Sequence, residues 1–186
     1  MMEAAAPTPV KLICGVLYSD ESLCERALGL LAERYGRIDC RSPLFPFTIT
    51  DYYTAEMGTP IWRLFCAFEP LIDPGRLARI KLACNAAEAE LAEGGRRRLN
   101  LDPGYMDYDK VVLASAKYKP HKIYLDLGIY ADATLHYEKG RYHPAPYAFP
   151  DFRSGEYNET FLAIRARYKG QLRKLLAWRS RESGPA

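Results

Sequence analysis

No stretch of the chain approaches the roughly 20 consecutive apolar residues that a membrane-spanning helix needs, so no membrane association is expected. The usual phosphate- and nucleophile-bearing signatures are missing too: there is no P-loop, no G-x-G-x-x-G and no G-x-S-x-G. Histidine is scarce, at three in 186 residues, and cysteine is limited to five. Cys14, Cys24, Cys40, Cys66 and Cys84 form no C-x-x-C pair, which removes the ligand spacing of a structural zinc site. Their odd number and apolar surroundings read as buried, reduced thiols rather than a disulfide framework. Residues 1–9 lack the basic-then-apolar order of a signal peptide. A disordered N-terminus and a cytoplasmic location are the expectations.

What is present is an ordinary globular composition, 48% hydrophobic and 26% charged, with enough chain for one full core. A single domain over 10–181 is expected, followed by a disordered tail at 182–186. The net charge of +3 is unevenly spread. Seven basic residues and one acid lie beyond residue 160, so the last helix is basic and the body mildly acidic.

The apolar run at 10–18 reads as a buried strand, and Ser19 or Asp20 caps a helix that Gly36 ends. A second strand is expected at 37–42. The long aromatic connection at 43–60 has one helical turn before Gly58, and reads as a lid or as a plain cover for the sheet. A strand at 61–69 precedes a helix opened by Asp73-Pro74 and running to about Glu93. Residues 96–101 form a strand closed by the turn Asp102-Pro103-Gly104, and Asp107 caps a helix over 108–117. Strands at 121–125, 129–137 and 141–145 follow, then a Pro-aromatic loop at 144–153 and a helix from about 155 that Ser154 caps. This order predicts an α+β fold with a ferredoxin-like βαββαβ core, extended by a helix, a β-meander and a C-terminal helix. The alternative is an α/β three-layer sandwich with a doubly wound parallel sheet, disfavoured by the hairpins and by the lack of a Gly-rich first loop.

Polar groups gather at the predicted element ends: Asn100, Asp102, Tyr105, Lys117, His121, Lys122 and Asp132, with Asp51 and Glu56 on the long loop. On the second long helix Lys81, Asn85 and Glu88 line up along one flank of the buried stripe. These residues either form a solvated edge or face the same rim. If the loop folds over that rim, the carboxylates, histidine and cations suit an anionic, phosphate-bearing small molecule, with Mg²⁺ as a possible partner. Asp102, His121, Asp51 and Glu56 are the candidates for chemistry; Lys81, Asn85, Glu88, Asn100, Tyr105, Lys117, Lys122 and Asp132 are those for binding. The bland reading of Asp102-Pro103-Gly104 is a turn and nothing more. His136 and His143 pair across a Lys139-Gly140 hairpin and could ligate a metal with Asp132. The basic last helix offers a second function class, RNA or protein binding.

Several segments together carry a family resemblance. They are Thr50 to Gly58, Asn85 with Glu88, Asn100 to Tyr105, and Val112-Leu113-Ala114 with Lys117. His121 to Leu125, Gly128 to Asp132 and Tyr147 to Arg153 complete the set. The chain resembles domain-of-unknown-function family 4416, a bacterial and archaeal family, from about Val10 to Tyr168. Lys122 stands where that pattern has Arg, Asp132 where it has Glu and Cys84 where it has Thr. The Lys122 exchange keeps the charge but loses the bidentate fork. The resemblance implies membership of the family and no particular reaction.

Overall fold

A computed structural model describes residues 3–182 of the chain, so of the disorder expected at 1–9 and 182–186 the parts at 1–2 and 183–186 lie outside the described residues. The elements are β1 (Val10–Tyr18), α1 (Glu21–Tyr35), β2 (Ile38–Arg41), β3 (Phe45–Pro46), α2 (Thr54–Met57), β4 (Trp62–Ile72) and α3 (Leu77–Glu90). They continue with β5 (Leu99–Met106), β6 (Lys110–Ser115), β7 (Ile123–Asp126), β8 (Ile129–Glu138), β9 (Arg141–Pro144), α4 (Pro150–Arg153) and α5 (Asn158–Glu182). All nine strands join one sheet in the order β2-β4-β1-β5-β6-β8-β7, with β3 beside β4 and β9 beside β8. Every pairing is antiparallel. The architecture is therefore α+β, and the parallel three-layer alternative is overturned. Among the described residues, no helix is long and apolar enough to cross a membrane.

Alternation along the strands divides the core into two faces. Leu12, Cys14, Val16 and Tyr18 of β1 meet Leu64, Cys66 and Phe68 of β4 under α1 and α3. On the opposite face Ile13, Phe65, Ala67, Met106 and Val111 lie under α4 and α5, whose Phe152, Phe161 and Ile164 bury against them. The far end of that second face is closed by the 43–60 segment, where Phe47, Met57 and Ile61 pack on Leu17. α1 starts where expected: the Asp20 carboxylate accepts from the Leu23 N–H, and Gly36 ends the helix at φ 93°.

Three local expectations are overturned. Residues 108–117 are not a helix but the strand β6, because Asp107 turns the chain by accepting from the Asp109 and Lys110 N–H groups, and Val111–Ser115 then pair with β8. The Asp102-Pro103-Gly104 stretch is not a turn; it runs extended inside β5, facing Gly15, Cys14 and Ile13 of β1. The last helix starts at Asn158 rather than near 155, since α4 and Gly155 at φ 79° intervene. The Lys139-Gly140 hairpin forms as expected, with both residues at positive φ and His136 facing His143.

Pro103 shapes the centre of the sheet. The Leu101 N–H is bonded to a side chain of α3 rather than to β1, so the β5 groups at 101, 103 and 105 point to the β6 side. Pairing between β5 and β6 covers only Gly104–Met106 with Val111–Leu113. The ladder stops where the proline has no N–H to give. Beyond it, Leu99–Asp102 has β1 on one side and a gap on the other.

Candidate functional site

The gap is filled by charge. From α3, the Glu88 carboxylate accepts from the Leu101 N–H at 2.6 Å and Lys81 Nζ donates to the Leu101 carbonyl at 2.6 Å. Two helix side chains thus satisfy a strand residue that has lost its neighbour. Lys81 Nζ also lies 3.8 Å from Asp102 Oδ1, while Arg63 Nη1 approaches Asp102 Oδ2 at 3.4 Å from the opposite sheet face. Asp102 therefore sits in the opening, held from both sides. Arg63 can reach it because β1 has glycine at the crossing: a Cβ on Gly15 would stand 3.0 Å from Arg63 Nη1.

The same array extends both ways. Arg63 Nη2 pairs with Asp151 Oδ2 at 3.3 Å, which also accepts from the Tyr157 hydroxyl at 3.2 Å. Arg97 donates to Asn100 Oδ1 at 3.0 Å, reaches Glu56 at 2.9 Å and Glu88 at 3.5 Å, and lies over the Tyr53 ring. Burial pushes the Glu88 carboxyl above its ordinary value, more than Lys81 and the Leu101 N–H pull it down. Burial also raises Asp102, but the Lys81 and Arg63 cations outweigh it and leave this carboxyl below its ordinary value. Two neighbouring acids are driven apart.

A second array stands across β6. Lys122 Nζ donates to Ser115 Oγ at 2.8 Å and pairs with Asp132 Oδ2 at 3.2 Å. His121 Nε2 lies 3.8 Å from the same oxygen, and its ring stacks on Tyr147 at 3.9 Å. Lys117 Nζ contacts the Tyr52 hydroxyl at 3.1 Å. Asp132 pairs with Leu113 in the β6–β8 ladder, which puts it on the same sheet face as Asp102.

Two loops join the arrays. The 43–60 segment gives Tyr52 to one and Glu56 to the other; the 144–153 segment gives Tyr147 to one and Asp151 to the other. Most of the sequence candidates fall into these arrays, Glu56, Lys81, Glu88, Asn100 and Asp102 in the first and Lys117, His121, Lys122 and Asp132 in the second. Three do not. Asp51 is exposed at the start of α2, and Asn85 is half-buried on α3 with no side-chain hydrogen bond among the described residues. Tyr105 points to the other sheet face, where it packs with the clusters around Ile80 and Leu77.

Arg63, Arg97, Asp151, Ser115 and Tyr147 were not among the sequence candidates for the site, although Tyr147 and Asp151 lie in a segment that carries the family resemblance. The signal for Arg63 was there to read: a charge inside the apolar run from Ile61 to Phe68 demands a buried partner. Three site atoms are buried without a hydrogen-bond partner, Arg63 Nε, Asn100 Nδ2 and Asp132 Oδ1, although the Asn100 side chain still helps to hold the Asp102 carboxyl down. No group of three or more His, Cys, Asp or Glu side chains is arranged to hold a metal among the described residues. His136 and His143 do stack, at 5.2 Å between rings, without a third ligand.

No curated protein and no solved structure matches the chain. Residues 8–168 match the family described as Domain of unknown function (DUF4416), which covers both loops and every charged residue of the two arrays. The chain belongs to that family.

Proposed function

We propose that the two arrays form one site for a small, anionic, phosphate-bearing ligand, held at the sheet rim beneath the 43–60 loop. The observation that carries this reading is the pair of buried, unpartnered atoms on the strands flanking β6. Asn100 Nδ2 is a donor on β5 and Asp132 Oδ1 an acceptor on β8. Buried polar atoms in native proteins are rarely left unsatisfied, and a polar ligand is one way to satisfy them. Lys117, exposed and held by the Tyr52 hydroxyl and ring, offers charge to an anionic group. His121, stacked and facing Asp132, is the group positioned for proton transfer, while Asp102, kept ionised between Lys81 and Arg63, fixes those two cations. Asp132, whose Oδ1 has no partner, would be the residue to hold a Mg²⁺ arriving with the ligand, and the ion would supply charge neutralisation for its phosphate.

The test is a thermal-shift series with nucleotides and sugar phosphates, with and without Mg²⁺. Wild type should gain several degrees with one ligand class, and Lys117→Ala and Asp132→Asn should lose that gain. Absence of any shift in wild type, or equal shifts in the variants, would overturn the reading.

The sheet order β2-β4-β1-β5, with α1 and α3 on one face, supports the finer fold assignment of a ferredoxin-like core. The five free cysteines support a reducing, cytoplasmic setting. A second reading rests on α5. Its packing face ends at Leu172, and beyond it Leu176 and Trp178 are exposed beside Arg173 and Lys174. Such a basic, aromatic arm suits RNA or an acidic protein. RNA binding that weakens steeply with salt and vanishes on deleting 174–186 would favour it; salt-insensitive or absent binding would remove it.

A further inference from the structure

We propose that β7 is the interface of a twofold homodimer in which two copies join their sheets edge to edge. β7 and β9 lie in line along the outer side of β8, at its two ends. The β9 stretch is closed, because the Tyr142 N–H donates to Asn158 Oδ1 at 3.0 Å and α4 and α5 pack beside it. The opposite edge of the sheet is guarded by charge: Asp39 and Arg41 of β2 are paired with Lys11 and Glu25. β7 has neither device. All four of its residues are exposed, Ile123 at 69%, Tyr124 at 58% and Leu125 at 39%, with Leu127 and Tyr118 beside them.

An open edge carrying apolar side chains on both faces is a template for another strand, and natural sheets blunt such edges unless they use them. The charges select the partner. The chain entering β7 is basic, with Lys119 exposed there while Lys117 and Lys122 are engaged by Tyr52 and Asp132, and the strand ends at Asp126. Antiparallel pairing about a twofold axis sets the basic end of one copy beside the acidic end of the other. Parallel addition would instead stack Asp126 on Asp126. A second copy in the antiparallel sense is therefore the complementary occupant, and an isologous contact closes at two. Strands of four residues bury a small interface, at the lower end of about 1,200 Å² for specific pairs, so the dimer is a reversible one. His121 and Lys122 immediately precede β7, which places the second copy's turn beside one wall of the site.

Sedimentation velocity over a wide concentration range tests this. The 21.1 kDa chain should move towards twice its mass as concentration rises, with slower amide exchange at 123–126. Ile123→Lys with Leu125→Lys should remain monomeric, while Leu44→Lys, which removes an equally exposed side chain elsewhere, should dimerise as wild type does. A wild type that stays monomeric would overturn the proposal. So would a double variant that still dimerises, or a dimer whose β7 amides exchange as fast as in the monomer.

Discussion

At the scale of single residues, the site is an arrangement of charges that hold one another out of water. Asp102 neutralises Arg63, whose side chain is 6% exposed, and Lys81, at 9%. Removing one member of such a set leaves the others buried and unpaired, which costs more than the pairing itself contributes. Asp102→Asn should lower unfolding free energy by about 3 kcal/mol, read from urea denaturation at neutral pH. The lowered Asp102 carboxyl contributes stability that is present above its unfolded value of 3.8 and is lost as pH falls through the folded one. Glu88 works in the opposite sense. Its raised carboxyl favours folding in acid, and that contribution fades as pH rises from the unfolded value of 4.5 through the folded one. Denaturation of Glu88→Gln between pH 4 and 7 should therefore show a shallower decline with rising pH than wild type. An unchanged slope would mean that Glu88 is not perturbed.

At the scale of elements, the strands with strong patterning were legible and the junctions were not. β1, α1, β4 and the β8–β9 hairpin follow from apolar runs, an Asp cap and a Lys-Gly turn. β6 was misread because Val111-Val112-Leu113-Ala114 is too short a run for period to separate helix from strand, and Asp107 serves a turn as well as a cap. β5 was misread because Asp-Pro-Gly is turn chemistry; only the position of the missing N–H, facing the side where β6 leaves, admits proline in a central strand. The site was half legible for the same reason. Polar residues at strand ends could be named, but Arg63 and Asp151 meet across 88 positions of chain that no local pattern joins. Pro103 itself gives a test. Pro103→Val should let β5 and β6 continue pairing, slow amide exchange at Ala114 and Ala116, and abolish any ligand-induced thermal shift.

At the scale of the whole molecule, α5 is tied across the sheet by a buried cation. Lys11 is fully enclosed, its Nζ 2.6 Å from Asp39 Oδ2 and 2.8 Å from Gln171 Oε1 on α5. Lys11→Met should cost about 3 kcal/mol by stranding Asp39, and adding Asp39→Leu should recover most of it, measured by chemical denaturation of both variants. Tyr168 adds a second tie through its hydroxyl to the Pro9 carbonyl. The basic arm beyond Leu172 is thus held on a firm base, whichever partner it meets.

The Leu101 peptide has one more consequence. Its N–H ends on a carboxylate and its carbonyl on an ammonium, both drawn from α3. The Leu101 amide nitrogen and carbonyl carbon, in the two peptide groups that flank its Cα, should therefore follow the charge on Glu88 and Lys81 far more closely than those of a residue bonded to a strand. In a labelled sample, one backbone signal becomes a spectroscopic gauge of the site's ionisation and of any molecule that disturbs it.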